Sequence, residues 1–411
     1  MTATALQQEE HLPEAIVCKW CGKSFHYLKS HISMGRCENI PESAKGMDVD
    51  EVVKMYTTAF PDEPTISRTA LAKLNEKRAE KHSGEGKVAD ISAHPGYAGT
   101  VEYKTELVAA HELLGVTIKE LGTPRGKPLQ VTVNVNTPYP EFVPEAKKNY
   151  VYGDFDLIKD IFMMLEIGIP GYLWGHAGTG KSSLPTQLCA MLNRPLIRAQ
   201  HTASMEEAHV TGQILARDGS TYFEPGLLAL AMKNGWVYLA DEYDFAFPQI
   251  LGVYQPVLEG EPLIIKEATP DWRRITPHKR FAFIGTGNTN GSGDETGLYQ
   301  GTNIQNAANF SRFGIVSNMK YMSTKAEVNM LAEAGVIREY AEKMVKFANL
   351  VREGYEQHLI SQPIGPRELL LSAKIGMMRG DFSAGIEKSF INKLPSTSAQ
   401  AAREVVQKIF G

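Results

Sequence analysis

A glycine-rich segment, Gly175-His-Ala-Gly-Thr-Gly-Lys-Ser182, has the residue types that bind the phosphates of a nucleotide. Glycines let backbone N–H groups turn towards phosphates, the lysine reaches the β- and γ-phosphates, and the serine hydroxyl ligates magnesium. An apolar strand-like run precedes the segment and a helical run follows it, which is the required context. The segment predicts a site for ATP and Mg²⁺ that consists of Gly175, His176, Ala177, Gly178, Thr179, Gly180, Lys181, Ser182 and Ser183.

Two adjacent acids and one amide extend this chemistry. Asp241 and Glu242 follow the apolar run WVYLA, and Asn288 comes soon after a further apolar run, FAFIGT. The ends of parallel strands are where α/β sheets place ligands. We expect Asp241 to hold Mg²⁺ through water, and Glu242 to orient and deprotonate the attacking water. The Asn288 amide can hydrogen-bond both water and γ-phosphate without adding charge.

These side chains need a sheet to position them. Beyond Tyr150, the strand-like runs GYLWG, WVYLAD and FAFIGT alternate with helical segments, which predicts an α/β fold with a parallel sheet flanked by helices. After about Ser323 the apolar spacing is helical to Phe410, which predicts a C-terminal helical lid. Upstream, VTVNVN alternates as a half-buried strand does.

Three cysteines and a histidine near the N-terminus have zinc-compatible types. Cys18, Cys21, His31 and Cys37 predict one Zn²⁺ site, with His26 as the substitute ligand if His31 is not one; the alternative is free thiols in a loose head. Phe25 and Leu28 would form a miniature core, so metal must supply the stability. The basic and aromatic residues of this module, which could contact nucleic acid or protein, are Lys19, Trp20, Lys23, Tyr27, Lys29 and Arg36.

Composition limits the class of protein. Hydrophobic residues make up 43% and charged residues 22%, which is typical of folded domains, and the net charge of −4 excludes a protein that is basic all over. The N-terminus does not have the pattern of a secretory signal, and no apolar run is long enough to span a membrane. Clustered cysteines suit a reduced compartment, so we expect a cytoplasmic protein without membrane contact.

Longer motifs resemble a known family. The order of phosphate loop, acid pair, strand-end Asn288, Ser311-Arg-Phe313 and Gly365-Pro-Arg367 resembles the MoxR branch of the AAA+ ATPases. More narrowly, residues 142–411 resemble the CobS family, the ATPase subunit of aerobic cobaltochelatase. The similar stretches are GHAGTGKSS, GQILARDGSTYFEPGLL, DEYDFAFPQILGVYQPVLEG and GNTNGSGDETGLYQGT. Before about residue 90 the family has no cysteine module that matches this one.

The resemblance implies a homo-oligomeric ring, usually hexameric, in which each nucleotide lies between neighbouring subunits. It implies that Arg312 is the arginine that completes the neighbour's site and that Arg367 is the second sensor, at the start of a lid helix. It also implies two inserted hairpins, at Ile214–Tyr222 and Pro262–Thr276, which would face the pore or a partner. The alternative is that both are ordinary solvated hairpins.

These observations predict five segments. They are a zinc-finger-like module at 1–40, a charged helical linker at 41–90, a small mixed α/β region and connector at 91–145, the AAA+ α/β core at 146–322 and the helical lid at 323–411. The leading hypothesis is a motor that remodels a partner protein or complex. The resemblance suggests a metal-chelatase role and a partner that carries a von Willebrand-type domain. The alternatives are a nucleic-acid-associated motor recruited through the zinc-finger-like module, and a nucleotide-gated scaffold.

Overall fold

The computed structural model describes residues 13–33, 36–45, 47–61, 63–70, 101–217 and 219–411. The chain divides into two compact units, Met1–His94 and Pro95–Gly411. The charged stretch Leu71 to Lys87, predicted as a solvated helix within the linker, lies outside the described residues.

The first unit combines a two-stranded sheet with two helices. Strands β1 (Ile16–Val17) and β2 (Ser24–Phe25) pair antiparallel, followed by α1 (Leu28–Ser33) and α2 (Val49–Ala59). The buried residues of its core are Ile16, Cys18, Phe25, Leu28, Ile32, Cys37, Ala44, Val52 and Tyr56. The last two belong to α2, in the segment predicted as a linker. The core is therefore larger than the pair Phe25 and Leu28 that the sequence suggested.

The second unit is built on a parallel sheet of five strands in the order β13-β5-β12-β9-β6. The strands are β5 (Gly171–Trp174), β6 (Leu196–Gln200), β9 (Val237–Asp241), β12 (Ala282–Gly287) and β13 (Ile315–Asn318). Strands β9 and β12 are buried along their whole length, which explains their continuous apolar sequences. The predicted α/β fold and the three predicted strands are confirmed.

Helices surround this sheet and form the C-terminal region. Those of the core are α3 (Ala110–Leu114), α4 (Ile118–Leu121), α5 (Phe155–Ile167), α6 (Ser183–Met191), α7 (Glu207–Thr211), α8 (Leu227–Asn234), α9 (Pro248–Leu251), α10 (Gln255–Leu258), α11 (Pro270–Arg273) and α12 (Ala307–Phe310). Those of the lid are α13 (Thr324–Glu333), α14 (Arg338–Glu356), α15 (Pro366–Arg379), α16 (Phe382–Ser389) and α17 (Ser396–Phe410). Short 3-10 turns are Glu42–Ala44, Pro140–Phe142, Tyr243–Phe245, Gly252–Tyr254 and Ile391–Lys393.

Three antiparallel pairs complete the second unit. β3 (Thr105–Ala109) pairs with β4 (Gln130–Asn134), which contains most of the predicted VTVNVN strand. β7 (Gly212–Arg217) and β8 (Ser220–Pro225) confirm the first predicted hairpin. The second is reduced to two-residue strands, β10 (Leu263–Ile264) and β11 (Arg274–Ile275), because α11 occupies the part of the connection that leads into β11.

Local sequence signals set several helix ends. Asp154 accepts a hydrogen bond from the backbone N–H of Leu157 and caps α5, and Gly168, directly after the helix, has a left-handed conformation. Pro366 occupies the first turn of α15, where its missing N–H has no intrahelical partner to lose. Across the described ranges, none of the helices has both the length and the apolar character needed to cross a membrane.

Candidate nucleotide site and metal centre

The predicted chemistry collects at the carboxyl edge of the five-stranded sheet. β5 leads into the phosphate loop, β9 ends at Asp241, and β12 ends one residue before Asn288. The parallel register places Gln200 of β6 beside Asp241, and Gly285 of β12 beside Ala240. Neighbouring strand ends therefore bring these side chains together from distant parts of the sequence.

The phosphate loop has a backbone that requires glycine. Gly175, Gly178 and Gly180 have φ values of +148°, +82° and +100°, which L side chains rarely adopt. A β-carbon on Gly175 would also lie 2.3 Å from the Met319 carbonyl oxygen. Helix α6 begins directly after the loop, at Ser183, so its N-terminus adds a favourable dipole for anions.

The Lys181 ammonium is buried against the loop that carries it. Its Nζ donates to the carbonyl oxygens of Gly175 at 2.7 Å and His176 at 3.0 Å, and to Asn288 Oδ1 at 3.0 Å. Burial lowers the pKa of Lys181 to about 8, although the nearby carboxylates of Asp244, Asp241 and Glu242 act to raise it. The geometry thus links the predicted lysine directly with the predicted amide.

Asp241 is a buried carboxylate with donors on both oxygens. Oδ1 accepts from the Ser182 hydroxyl and, at 2.5 Å, from the Thr286 hydroxyl; Oδ2 accepts from Arg198 Nε at 2.6 Å and from Arg198 Nη2. Burial alone would raise the pKa of Asp241, but the hydrogen bonds from Ser182, Thr286 and Arg198 outweigh it and the pKa is lowered. The carboxyl group is therefore held ionised.

Glu242 follows Asp241 in a left-handed backbone conformation, with φ +52° and ψ +43°. This conformation is uncommon for a residue with a long side chain. The backbone N–H of Glu242 donates to the Thr286 hydroxyl at 3.2 Å, and its Oε2 accepts from Gln200 Nε2 at 2.6 Å. The strand end thus turns sharply, and β6 holds the carboxylate that the turn presents.

Asn288 is fixed by a second buried acid, Asp244. Oδ2 of Asp244 accepts from the backbone N–H groups of Asn288 at 2.8 Å and Thr289 at 2.9 Å, and from the Thr289 hydroxyl at 2.9 Å. Burial raises the pKa of Asp244, and these hydrogen bonds oppose the shift. Asp244 therefore positions the backbone from which the Asn288 side chain reaches Lys181.

The lid touches the phosphate loop through glycine backbone. A β-carbon on Gly365 would lie 2.8 Å from the Ala177 carbonyl oxygen, and one on Gly178 would lie 3.5 Å from the Arg367 β-carbon. His176 adds aromatic contacts, stacking on Tyr321 with ring centroids 5.9 Å apart. The structure thus places Arg367, at the start of α15, next to the nucleotide loop.

Arg312 is engaged elsewhere within its own chain. Its Nε donates to Glu259 Oε1 at 2.7 Å and its Nη1 donates to the Ala308 carbonyl oxygen. The described contacts thus unite Lys181, Asp241, Glu242 and Asn288 through a few intervening side chains, with Arg312 outside that group. Its predicted action on a neighbouring subunit stays a prediction.

The donor set at this sheet edge fits a magnesium nucleotide. Mg²⁺ prefers oxygen ligands and is commonly bound by one or two protein groups together with phosphates. The Ser182 hydroxyl and the Asp241 carboxylate are in direct hydrogen-bond contact beside the glycine-rich loop. These two groups are therefore the residues that would hold the ion.

The predicted zinc ligands converge in the first unit. The ligand atoms of Cys18, Cys21, His31 and Cys37 all lie within 4.8 Å of one another. The Cys18 and Cys37 sulfurs are 3.8 Å apart, and Cys21 Sγ is 3.3 Å from His31 Nε2. Tetrahedral zinc with Zn–S bonds of about 2.3 Å would separate two sulfurs by about 3.8 Å, so the donor set fits this metal.

His26 lies outside that cluster. Its Nδ1 is 3.1 Å from the Glu14 carbonyl oxygen and 3.0 Å from Ser67 Oγ. Because His31 is in the cluster and His26 has these other contacts, the substitute-ligand alternative has no support in the structure. Cys189, on α6, is fully buried.

Sequence reasoning missed four residues of the nucleotide site: Arg198, Gln200, Asp244 and Thr286. A signal for the first two was present, because LIRAQ places polar residues at alternate positions of an otherwise apolar strand. Both project from one side of β6 to the adjacent strand end. Asp244 and Thr286 gave no such signal, since an acid in a turn and a threonine in a buried strand are common.

The chain is similar to known proteins. Residues 172–302 match the AAA domain of the dynein-related subfamily. Over 249 residues the chain is 32% identical to the aerobic cobaltochelatase subunit CobS of Sinorhizobium sp, covering 58% of this chain and 74% of that protein. The chain belongs to the CobS family. It is an AAA+ ATPase, as its motifs predicted.

Two further similarities are more distant. An uncharacterized protein of Staphylococcus aureus is 23% identical over 265 residues, covering 62% of this chain and 96% of that protein. The RuvB Holliday junction branch migration motor of Thermotoga maritima has a TM-score of 0.38 and 13% sequence identity, covering 65% of this chain and 72% of that one.

Proposed function

We propose that this chain assembles into a ring, of six subunits, whose ATP hydrolysis remodels a partner protein or complex. The observation that carries the proposal is the convergence of Lys181, Asp241, Glu242 and Asn288 at one sheet edge. Its relative CobS is a subunit of aerobic cobaltochelatase, so a chelatase-type partner with a von Willebrand-type domain is the partner class we favour.

Substrate binding is assigned to the phosphate loop. The loop backbone and Lys181 would bind the β- and γ-phosphates of ATP. Ser182 and Asp241 would hold Mg²⁺, which neutralises phosphate charge during phosphoryl transfer. Because Lys181 is buried, its attraction for a phosphate is screened less than that of a surface lysine.

Hydrolysis is assigned to Glu242 and Asn288. Glu242 accepts a proton from the attacking water as the water oxygen bonds to the γ-phosphorus, and the bond to the ADP oxygen breaks to leave ADP and phosphate. The Asn288 amide orients the water or the γ-phosphate, with Asp244 fixing its backbone. Gln200 holds the Glu242 carboxylate through its 2.6 Å hydrogen bond.

Two arginines complete the proposed site. Arg367 lies on the lid beside Gly178, where it would report nucleotide state to α15. Arg312 would act on the nucleotide of the neighbouring subunit, since a guanidinium can contact developing phosphoryl charge in two places. Its ion pair with Glu259 would hold the side chain in position before the neighbour engages it.

The first unit is proposed to bind one zinc ion and to recruit the partner in the cytoplasm. A nucleic-acid partner has less support, because Lys19 pairs with Glu63 at 2.7 Å and Lys23 pairs with Glu38. These ion pairs offset positive charge that would otherwise attract phosphates. We therefore favour a protein partner over a nucleic-acid partner.

The test begins with purified full-length chain. We expect Mg²⁺-dependent ATP hydrolysis and, by native mass spectrometry with nucleotide, a six-subunit ring. Glu242→Gln should keep nucleotide binding, lose a factor of about 10²–10⁴ in rate, and retain the partner in a pull-down from the host. Glu242→Gln combined with Lys181→Ala is the matched control, which should bind neither nucleotide nor partner.

Three results would contradict the proposal. Absence of ATP hydrolysis by intact rings would leave the nucleotide-gated scaffold as the better description. A partner retained equally by the double variant would show that recruitment does not depend on the ATP-bound state. Recovery of nucleic acid alone, lost at high salt, would restore the nucleic-acid alternative.

A further inference from the structure

Arg198 contacts the proposed magnesium ligand but has no part in the mechanism above. It lies on β6, the strand next to β9, and donates to Asp241 Oδ2 through Nε at 2.6 Å and through Nη2. Half of the Arg198 side chain is exposed (56%), whereas that of Asp241 is 3% exposed. A surface cation therefore covers one oxygen of a buried carboxylate.

The carboxylate of Asp241 has no free acceptor position. An ionised carboxylate offers about four lone-pair sites. Ser182 and Thr286 donate to Oδ1, and Arg198 donates twice to Oδ2. A magnesium-bound water would also need to donate to this carboxylate, because Mg²⁺ keeps several of its waters when it binds to proteins. One of the four hydrogen bonds to Asp241 must therefore break when the magnesium-bound water binds.

Of the three donor residues, Arg198 is the one that can leave. Thr286 is fully buried on β12, and its hydroxyl also accepts from the Glu242 backbone. Ser182 belongs to the phosphate loop and is itself a proposed magnesium ligand. Arg198 ends in solvent, where water can replace the hydrogen bonds that the guanidinium gives up. Arg198 is also the only cation of the three.

We propose that Arg198 competes with magnesium for Asp241 and so sets the concentration of divalent cation at which the site loads. The inference rests on the proposed magnesium ligands. Without the ion, the guanidinium neutralises the buried carboxylate; when the ion binds, the guanidinium is displaced from Oδ2. Arg198 is accordingly a positioning residue, which acts on the metal site through Asp241.

The test measures cation loading rather than turnover. Full-length protein is titrated with MgCl₂ in the presence of fluorescently labelled ADP, and the Mg²⁺ concentration at half-maximal binding is recorded. Arg198→Gln should lower that midpoint about fivefold, because water screens the half-exposed guanidinium and limits how strongly it competes with the ion. Arg198→Lys, which keeps the charge with fewer fixed donors, should lower it less.

Arg403→Gln is the matched control, because Arg403 also donates to one carboxylate, Glu387, through Nε and Nη2, but on the lid. It should leave the midpoint unchanged. An unchanged or higher midpoint in folded Arg198→Gln would overturn the inference, since a purely structural arginine would weaken cation binding when removed. Should that variant unfold, Arg198→Lys decides by the same criterion. A wild-type protein without any Mg²⁺ dependence would instead contradict the proposed magnesium ligands.

Discussion

The two compact units place their functional residues in opposite ways. In Pro95–Gly411, five parallel strands and a large buried core determine where Asp241, Glu242 and Asn288 lie. In Met1–His94, the buried core is small and two of its members, Cys18 and Cys37, are themselves proposed metal ligands. In the first case the fold creates the site; in the second, we propose that metal binding at the site is needed to create the fold.

This contrast separates stability from function. A residue of the nucleotide site can be replaced without loss of the sheet, because the strands are held by other side chains. We expect that a ligand of the proposed zinc site cannot be replaced in this way, because a core this small does not outweigh the entropy of ordering the chain. Substitutions should therefore have different kinds of effect in the two units.

The largest effect is expected from the zinc ligands. Cys21→Ser, or a zinc chelator, should unfold the first unit, because structural zinc supplies about 10–16 kcal/mol in small modules. Zinc stoichiometry by metal analysis and NMR dispersion of residues 13–70 measure this, while ATP hydrolysis reports on the second unit. His26→Ala is the control and should keep its zinc, since His26 contacts Glu14 and Ser67 instead. A well-dispersed spectrum from zinc-free protein would show that the first unit folds without metal, which would contradict the proposed difference between the two units.

Next in size is the loss of Arg312. Arg312→Ala should lower the hydrolysis rate about a thousandfold or more with nucleotide binding largely intact, because a trans arginine stabilises charge in the transition state. Lys181→Ala should weaken nucleotide binding as well. Glu259→Gln removes the partner of Arg312 in its own chain and should keep most of the rate. If Arg312→Ala and Glu259→Gln lost stability and hydrolysis rate to the same extent, Arg312 would have a structural role only.

Mixed rings sharpen the same prediction. Glu242→Gln and Arg312→Ala subunits, each inactive alone, should recover part of the rate together, because some interfaces pair an intact Glu242 with an intact Arg312. Native mass spectrometry verifies that mixed rings form. Full mixing without recovery, together with a wild-type rate for the Arg312→Ala ring, would exclude the proposed trans role.

A moderate effect is expected at Gly365. Gly365→Ala places a β-carbon 2.8 Å from the Ala177 carbonyl oxygen and should cost about 1–3 kcal/mol in stability or nucleotide affinity. Gly252→Ala is the control, because Gly252 has an ordinary φ of −57° and nothing within 4 Å of the added carbon. Thermal unfolding and labelled-ADP affinity distinguish them. Equal unfolding temperatures and equal ADP affinities in the two variants would show that the contact between the lid and the phosphate loop can shift at little cost.

The smallest effect is expected at Asp244, whose pKa is raised by burial. Between the unfolded pKa and this higher folded value the native state binds more protons, so stability falls as pH rises through that window. Asp244→Asn keeps an acceptor for Asn288 and Thr289 and should therefore gain about 1–3 °C over wild type between pH 4.5 and 8. Melting curves across this range provide the test; a variant less stable at pH 8 than at pH 4.5, relative to wild type, contradicts it.

Much of the fold could be predicted from the sequence, because its hydrophobic patterns are compatible with only a few kinds of secondary structure. Uninterrupted apolar runs such as WVYLA can serve only as buried strands or short buried helices, and a glycine-rich loop after one of them restricts the choice further. The position of α2 in the first core was not readable, because Val52 and Tyr56 are separated from the cysteines by a charged segment. Packing between residues that are distant in the chain is not indicated by the spacing of apolar residues within a short segment.

In the nucleotide site, the sequence predicted those residues whose type and position in a motif indicate their chemical role. Lys181, Asp241 and Asn288 follow motifs, but Arg198, Gln200 and Asp244 act on those residues across the sheet. Their partners depend on strand order, and β6 lies beside β9 although the two are far apart in sequence. Strand order is a property of the whole domain, so the supporting residues became visible only with the structure.

The left-handed backbone of Glu242 has a consequence for directed evolution. Glycine and asparagine adopt φ +52° more readily than glutamate, so the backbone alone favours either of them at this position. A screen that rewards heat resistance would therefore replace Glu242 and, with it, the proposed general base. Variants selected in that way would unfold at a higher temperature and hydrolyse ATP more slowly, because stability and activity favour different residues at this single turn.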